Sequence, residues 1–561
     1  MSRSLVCSSC SVSFEFTDED EADLVLCAPS LGEQRLAIAP PKNCPTCRQQ
    51  QRLIFRNDLF LYQNVCGHCS KAIVSIYPKE LAGTVLCKEC FWSDAWNARD
   101  YGRDFDFSRP FFEQFAELKM SVPRLGLFFT HSENSDFTVH STKNKNCYLT
   151  TSVHECENVY YSDSLRNCRD CCDMFACHRM ELCYECCHSY ECFNSAYLEN
   201  CTGLSDSSWC FDCKGGSNLV GCVGLRNGSN SIFNKRATPE ECKAVTERLN
   251  KDPLLRQRFL NEYRALRAAH PRPESWSWNV EDSSGNYLRN SSFVRNCFNL
   301  NSSAQCSHSS EGNFCVSCVD CTRPAQSEFV YNSAAHVHLS YSAFCNLCYD
   351  SSYLLYCDNC QAGCDSCFGC MSLTRAHHCI LNKEYSPQDY ERTVSKIVAH
   401  MRETDEWGEF FPEHLSFFAY NRSRAGCRFP LSRQEVQKRG WRWEEDKKQS
   451  LEGVKTHRLG NPVLATDPEA ERIVQGAIIC EATGKAFRIT TPEFAFYKKK
   501  GLPLPSEAPA VRMTRRMNLE NWPSMQERQC SKCKKAIQTA YPRQSELQVY
   551  CESCYLAYTF S

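Results

Sequence analysis

Residues 171–192 read CCDMFACHRMELCYECCHSYEC, seven cysteines in twenty-two positions. Cysteine at that density is a metal cluster, a disulfide staple, or a repeating element that holds cysteine at a fixed place. The spacing decides. Cys183, Cys192, Cys201 and Cys210 stand nine residues apart, as do Cys168, Cys177 and Cys186, and later Cys297, Cys306 and Cys315. A tetrahedral site takes four ligands and stops, whereas a β-solenoid returns one position to the same column for as long as it runs. A nine-residue step also drifts out of phase with a helix of 3.6 residues per turn, which argues against helical repeats.

Strand-like pieces fit that reading: NVYYS (158–162), CFNSAYL (192–198), EFVYNS (328–333) and SYLLYC (352–357), with Asn, Ser, Asp and Gly between them as turn formers. The expectation is two tandem cysteine-ladder β-solenoids, 135–235 and 285–383, with inward cysteines and a coil of about 18 residues, two nine-residue steps. The two are duplicates: GCVGLRNGSNSIFNK (221–235) lies on GCMSLTRAHHCILNK (369–383) without a gap, at an offset of 148. TPEECKAVTERL and SPQDYERTVSKI follow, each with a Ser/Thr N-cap, Pro at the first helical position and acids next, so a helix is predicted to cap each solenoid.

The chain has 561 residues and 43 cysteines. Its start, MSRSLVCSSC, has no secretory h-region, and no run is apolar for the 18 or so residues of a membrane span. A cytoplasmic location and reduced thiols are therefore expected. The formal charge of −2 gives no electrostatic hint for the molecule as a whole.

Cysteine at the chain ends follows another rule. Cys66-GH-Cys69 and Cys87-KE-Cys90 are separated by seventeen residues, as are Cys530-SK-Cys533 and Cys551-ES-Cys554. Two C-x2-C knuckles at that spacing are the signature of a four-thiolate zinc ribbon. Cys7, Cys10, Cys44 and Cys47 form a further quartet with a longer insert, so about three zinc ions are expected per chain. The modules are also duplicates: shifted by 464 positions, residues 44–91 lie on 508–555, with Pro45 on Pro509, Arg48 on Arg512, Arg52 on Arg516 and Tyr77 on Tyr541. The counterparts of the first quartet are Cys480, Thr483, Ala508 and Val511, so that site has lost its metal.

Sharper readings of the middle cysteines are weaker. Cys315/Cys318/Cys321 and Cys364/Cys367/Cys370 are C-x2-C-x2-C triplets, but the fourth iron–sulfur ligand is missing at its usual spacing. Zinc between neighbouring coils, for example at Cys183 and Cys186, lacks histidine partners, and the Gly-rich calcium nonapeptide is missing. No G-x-S-x-G, Walker A or H-E-x-x-H occurs. Candidate groove residues for an enzyme are Asp163, Asp173, Glu185, Glu191, His336 and His338, with nothing in the sequence to make them converge, and Cys187 and His188, as neighbours on a strand, would face opposite ways. No catalytic residue is assigned.

Between 485 and 543 there are thirteen Lys or Arg and four Glu, a local balance of +9. Lys498, Lys499, Lys500, Arg512, Arg515 and Arg516 lie near Phe494, Phe496, Tyr497 and Trp522, a mixture that suits nucleic acid or an acidic protein as partner. The N-terminal copy is acidic instead, with TDEDEAD at 17–23. Aromatic stretches at 101–115 and 404–421 are expected to pack the solenoids onto the ribbons.

Taken together, CPTCR, LCKECFWSDAWNARDYGRDFDFSRPFFEQF, NKNCYL, GCVGLRN, EWGEFFP and CESCY resemble a family of cysteine-rich, zinc-ribbon-flanked proteins abundant in genomes of the candidate-phyla bacteria Patescibacteria and in related metagenomes. The resemblance covers nearly the whole chain and implies architecture and zinc, with no activity attached. That family usually keeps the first quartet of its C-terminal module, from which Thr483, Ala508 and Val511 depart.

The domain plan is a double zinc-ribbon module (1–100), an aromatic linker (101–134), solenoid one (135–235), a helical cap and linker (236–284), solenoid two (285–383), a helix with an aromatic-rich linker (384–470), and a degenerate second ribbon module (471–561). The function expected is a zinc-binding scaffold. The alternatives are an enzyme working in a solenoid groove and a component of a larger assembly.

Overall fold

In a computed structural model the inward cysteines stand on a three-residue step. At every third residue from 140 to 233 the backbone turns through positive φ, mostly near 50°, at non-glycine residues and glycines alike. Each triplet is one inward residue, one outward residue and one left-handed corner. Asn and Asp tolerate that corner; Tyr161, Trp209 and Tyr287 adopt it as well, at a steric penalty that only tertiary packing offsets. The structure describes all residues except 1, 81–82, 309, 314–318, 322–330, 335, 447–448, 521–523 and 561.

Four triplets make one pass. Parallel pairing joins Val159 to Cys171, Leu165 to Cys177, Leu198 to Cys210 and Val294 to Cys306, each a step of twelve residues. The expected eighteen-residue coil is therefore wrong. Nine residues is a diagonal: the Cys177 thiol donates to the Cys186 carbonyl (3.6 Å) and the Cys201 thiol to that of Cys210 (3.4 Å), on the adjacent side of the next pass. One pass in the second ladder has thirteen residues, pairing Leu354 with Cys367, and Gly363 at φ +83° lies in that longer pass.

The backbone explains the cysteine. Outward N–H groups donate eleven residues ahead (Tyr148 to the Val159 carbonyl, 3.0 Å), and corner N–H groups thirteen back (Tyr161 to the Tyr148 carbonyl, 3.1 Å). Inward N–H groups reach neither, and a buried N–H must be paired. Their acceptor is the inward side chain one pass earlier: Cys168 N donates to Cys156 Sγ (3.3 Å), Met174 N to Ser162 Oγ (3.1 Å) and Cys156 N to Asn144 Oδ1 (3.1 Å). The inward site thus favours a small side chain with a lone pair and a hydrogen. Cys and Ser supply both, and Cys adds apolar burial.

The first ladder runs from Phe129–Thr130 to Arg226–Ile232, the second from Ser277–Glu281 to His377–Ile380, so both begin inside segments expected to be linkers. Each ends in a short antiparallel hairpin strand and the predicted helix, Pro239–Lys251 with a Thr238–Glu241 capping box and Pro387–Glu403 capped by Ser386. A second helix, Pro253–Ala269, follows the first of these and was not expected. Of the strand expected at 328–333, residues 328–330 lie outside the described residues, and Tyr331 forms parallel bridges to Val319 and Ala343.

The modules cover the ladders crosswise. In the Pro45–Ile54 helix, Arg48 bonds Asp320 of the second ladder and Arg52 Nη1 donates to Asn332 Oδ1 (2.5 Å). In the Pro509–Met517 helix, Arg512 Nε and Arg516 Nη2 donate to Asp173 of the first ladder (3.1 and 2.8 Å), and Arg516 also faces Glu185 (3.4 Å). Phe111, which precedes the first ladder, packs on Tyr356 and Gly369 of the second, while Phe259, which precedes the second, packs on Trp209 and Gly221 of the first. A Cβ at Gly221 or Gly369 would stand under 3 Å from those rings, which is why both aligned segments open on glycine. The aromatic stretches join this packing through Phe115, Phe410 and Phe411.

Candidate metal centres

Each quartet begins as a β-hairpin knuckle followed by a helix or helical turn whose N-cap is the third cysteine: Cys44, Cys87 and Cys551. The first cysteine of each set receives the backbone N–H of the third at 3.3 Å, from Cys44 to Cys7, Cys87 to Cys66 and Cys551 to Cys530. Such N–H···S bonds favour thiolate. Burial raises the Cys66 thiol, but the N–H groups of Cys69, Cys87 and His68 outweigh it and bring it down to about 6. Those of Cys533, Cys551 and Lys532 do the same for Cys530, again to about 6.

The four sulfurs of each set lie within 4.8 Å of one another. Sulfur–sulfur contacts of 3.9 Å (Cys10–Cys44), 3.9 Å (Cys69–Cys87) and 3.6 Å (Cys533–Cys551) fit the edge of about 3.8 Å that a tetrahedron with metal–sulfur bonds of about 2.3 Å requires. These three sets can hold three metal ions. All twelve cysteines assigned from spacing are therefore brought together as they were grouped.

At the degenerate position Ala508 N still donates to Cys480 Sγ (3.3 Å), so the knuckle keeps its shape with one sulfur left. Among the described residues, no ladder cysteines form a group of three or more with sulfurs that close together. Cys364, Cys367 and Cys370 are consecutive inward positions on different sides of a pass, and their thiols bond backbone carbonyls. Cys315 and Cys318 lie outside the described residues.

The basic cluster is split: Lys498, Lys499 and Arg515 are exposed and paired within the chain, Lys500 is half-buried, and two arginines are buried. Arg512 and Arg516 are buried (2% and 1% exposed) against Asp173. Burial alone would raise the Asp173 carboxyl, and the two guanidinium groups hold it below its ordinary value instead. Lys498 pairs with Glu471 (2.6 Å), Lys499 with Asp170 (3.0 Å), Lys500 Nζ donates to Asn194 Oδ1 (2.5 Å), and Arg515 pairs with Glu185 (2.8 Å). A count of charges cannot see that acidic partners of Lys499, Arg512, Arg515 and Arg516 lie some three hundred residues away in the same chain. Trp522 lies outside the described residues. At the other end, Asp20 and Asp23 of the acidic stretch meet Arg295 of the second ladder.

The groove candidates whose side chains are described are likewise paired; the side chain of His336 lies outside the described residues. Asp163 binds Arg424 (2.6 Å), Glu191 binds Arg179 (3.2 Å), His338 faces Asp350 (2.7 Å), and His188 lies beside Glu520 (2.8 Å) while Cys187 contacts the Arg516 carbonyl. Sequence reasoning missed Asp320, Glu520 and His308. The offset of 148 would match Asp173 to Cys321; the thirteen-residue pass makes the offset 147 before it, and Asp320 is then the equivalent of Asp173. Among the described residues, no helix is long and apolar enough to cross a membrane. No family model, curated protein or solved structure matches this chain, so its functional reading rests on the geometry above.

Proposed function

We propose that the chain is a zinc-stapled scaffold: two closed β-solenoids of twelve-residue coils held against each other by two ribbon modules. The observation that carries this is the closure of all three metal sets. Each offers four cysteines, which leaves no coordination position for water or substrate, the arrangement of structural rather than catalytic zinc. Thiolates at tetrahedral spacing select zinc over the oxygen-preferring cations. The acidic partner expected for the C-terminal module is the first solenoid itself, and the basic side chains are docking groups rather than a nucleic-acid surface. This reading keeps the family resemblance as a proposal of shared architecture.

Elemental analysis of protein purified without chelator or added metal tests it. Three zinc and no iron per chain is the expected result. Iron, or zinc well above three, would place metal on the ladder thiols and overturn the assignment.

A further inference from the structure

One side of the first ladder keeps cations that no acid neutralises. Its outward column, paired from pass to pass, runs Arg166, His178, Tyr190, Thr202, Lys214 and Arg226. In the second ladder Trp278 pairs with Arg289, and both meet this column. The Arg289 guanidinium lies 4.3 Å from the Tyr190 ring centroid, and Lys214 Nζ lies 4.8 Å from that of Trp278. Arg166, Lys214 and Arg289 form no ion pair with any described residue. The acids nearby are used or turned aside: Glu191 pairs with Arg179, Asp212 is sealed behind Arg226, and Glu281 stands past the corner at Asn279 on the next side of its pass.

This seam is open. Arg166 is exposed, Tyr190, Lys214 and Arg289 are half-buried, and Trp278 is 57% exposed. His178 stacks on Tyr190 with centroids 5.6 Å apart; burial, with Arg166, Arg289 and Arg179 around it, brings it down to about 4, so at neutral pH it offers a ring and no charge. The corners beside Thr202 and Lys214 are Gly203 and Gly215. Positive φ does not demand glycine at this column, since Glu191 adopts it one pass earlier. Packing does not demand it at Gly203 either, where a Cβ would meet nothing nearer than Gly215, at 3.8 Å. What glycine provides there is a rim cleared of side chains between Tyr190 and Lys214.

We propose that this seam binds single-stranded nucleic acid, with phosphates against Arg166, Arg289 and Lys214 and a base stacked on Trp278. From Arg166 to Lys214 is four strand spacings, about 19 Å, along which cations and rings are interleaved. That mixture is what a phosphate backbone and its bases require. An acidic peptide would use the cations and leave the indole idle, which is why the rings favour nucleic acid. Charge and stacking carry no sequence code, so binding without strong sequence preference is expected. The proposal adds a ligand to the scaffold and does not depend on its metal.

The probe is a fluorescein-labelled oligothymidylate, titrated into the full chain by anisotropy at several salt concentrations, with polyglutamate as the competitor. Saturable binding is expected, with log affinity falling against log salt at a slope of about −2 for three phosphate contacts on a single strand. Arg166→Ala should weaken binding and flatten that slope by about 0.7. Trp278→Ala should weaken it about tenfold or more with the slope unchanged, the mark of lost stacking. Gly203→Glu, which takes a corner conformation that Glu191 already holds, should block it. Lys498→Ala, in the C-terminal module, should change nothing. Melting temperatures confirm that each variant is folded. The proposal fails if the oligonucleotide does not saturate at low salt, if polyglutamate displaces it at equal charge concentration, or if folded Arg166→Ala and Trp278→Ala both bind as the wild type does.

Discussion

Asp173 and Asp320 occupy the same left-handed corner in the two ladders, at φ 60° and 62°, and each receives two arginines from the cysteine-quartet module at the opposite end of the chain. Around them the likeness continues. Tyr197 stacks on Trp209 and Phe344 on Tyr356, and Glu185 and Asn332 take the second arginine in each set. The second knuckles exchange in the same manner: Val85–Leu86 pairs with Arg124–Leu125, which leads into the first ladder, and Val549–Tyr550 with Arg272–Pro273, which leads into the second. Every module therefore touches both ladders, as in an isologous dimer whose subunits have been joined.

Replacing Asp173 by Asn should destabilise the protein by about 3 kcal/mol, because it removes the carboxylate the two buried arginines share and leaves Arg512 only Glu493 and Arg516 only Glu185, each at 3.4 Å. Denaturant unfolding measures the loss, and hydrogen exchange should show it first in the Pro509–Met517 helix. A loss below about 1 kcal/mol would mean that Glu493 and Glu185 suffice for the arginines.

Cysteine in the ladder should tolerate Ser better than Val, the reverse of a purely hydrophobic core. At Cys156 a serine keeps both the acceptor for Cys168 N and the donor to the His154 carbonyl, whereas valine orphans a buried N–H for about 1–3 kcal/mol. Melting temperatures of the two variants, compared with the wild type, decide the order.

Stability should fall in acid through Glu520. Burial alone would raise this carboxyl, but Arg428 and His188 outweigh it and hold it at about 2 against an ordinary 4.5. A folded value below the unfolded one means the contribution is complete above about pH 5 and is lost as pH drops through 4.5 towards 2. It amounts to about 3 kcal/mol, from the shift of roughly two and a half pH units. Glu520→Gln should therefore be less stable than the wild type at pH 7, with the gap closing by about pH 2 in parallel acid titrations.

The lost metal set should be recoverable. Thr483→Cys, Ala508→Cys and Val511→Cys together return four sulfurs to a knuckle that still points the Ala508 N–H at Cys480. Zinc per chain should rise by one, and removing Cys530 as Ser from the parent should lower it by one. An unchanged content in the triple variant would show that the knuckle has closed over the site.

The ends of the chain were legible because a C-x2-C pair carries its geometry within four residues. The cysteine ladders were legible as repeats but with the wrong period. Inward positions also hold Ser162, Met174, Leu198 and Val159, so cysteine alone samples the three-residue register unevenly and makes a diagonal contact look like the repeat. Corners at Tyr161, Leu182 and Trp209 carry no turn signal, since nothing local favours positive φ there. The crossed docking left its trace only as charge: of thirteen basic residues in one stretch, Lys499, Lys500, Arg512, Arg515 and Arg516 have their partners on the far ladder.

Crossed cover sets an order on the making of the molecule. Strands of the first ladder leave the ribosome well before Arg512 and Arg516, and at about 5–20 residues per second the interval is on the order of tens of seconds. Until then Cys172, beside Asp173, and Cys187, both outward and both sealed in the finished protein, face water. Their window for oxidation is the time of synthesis, and it shuts when the last ribbon module arrives.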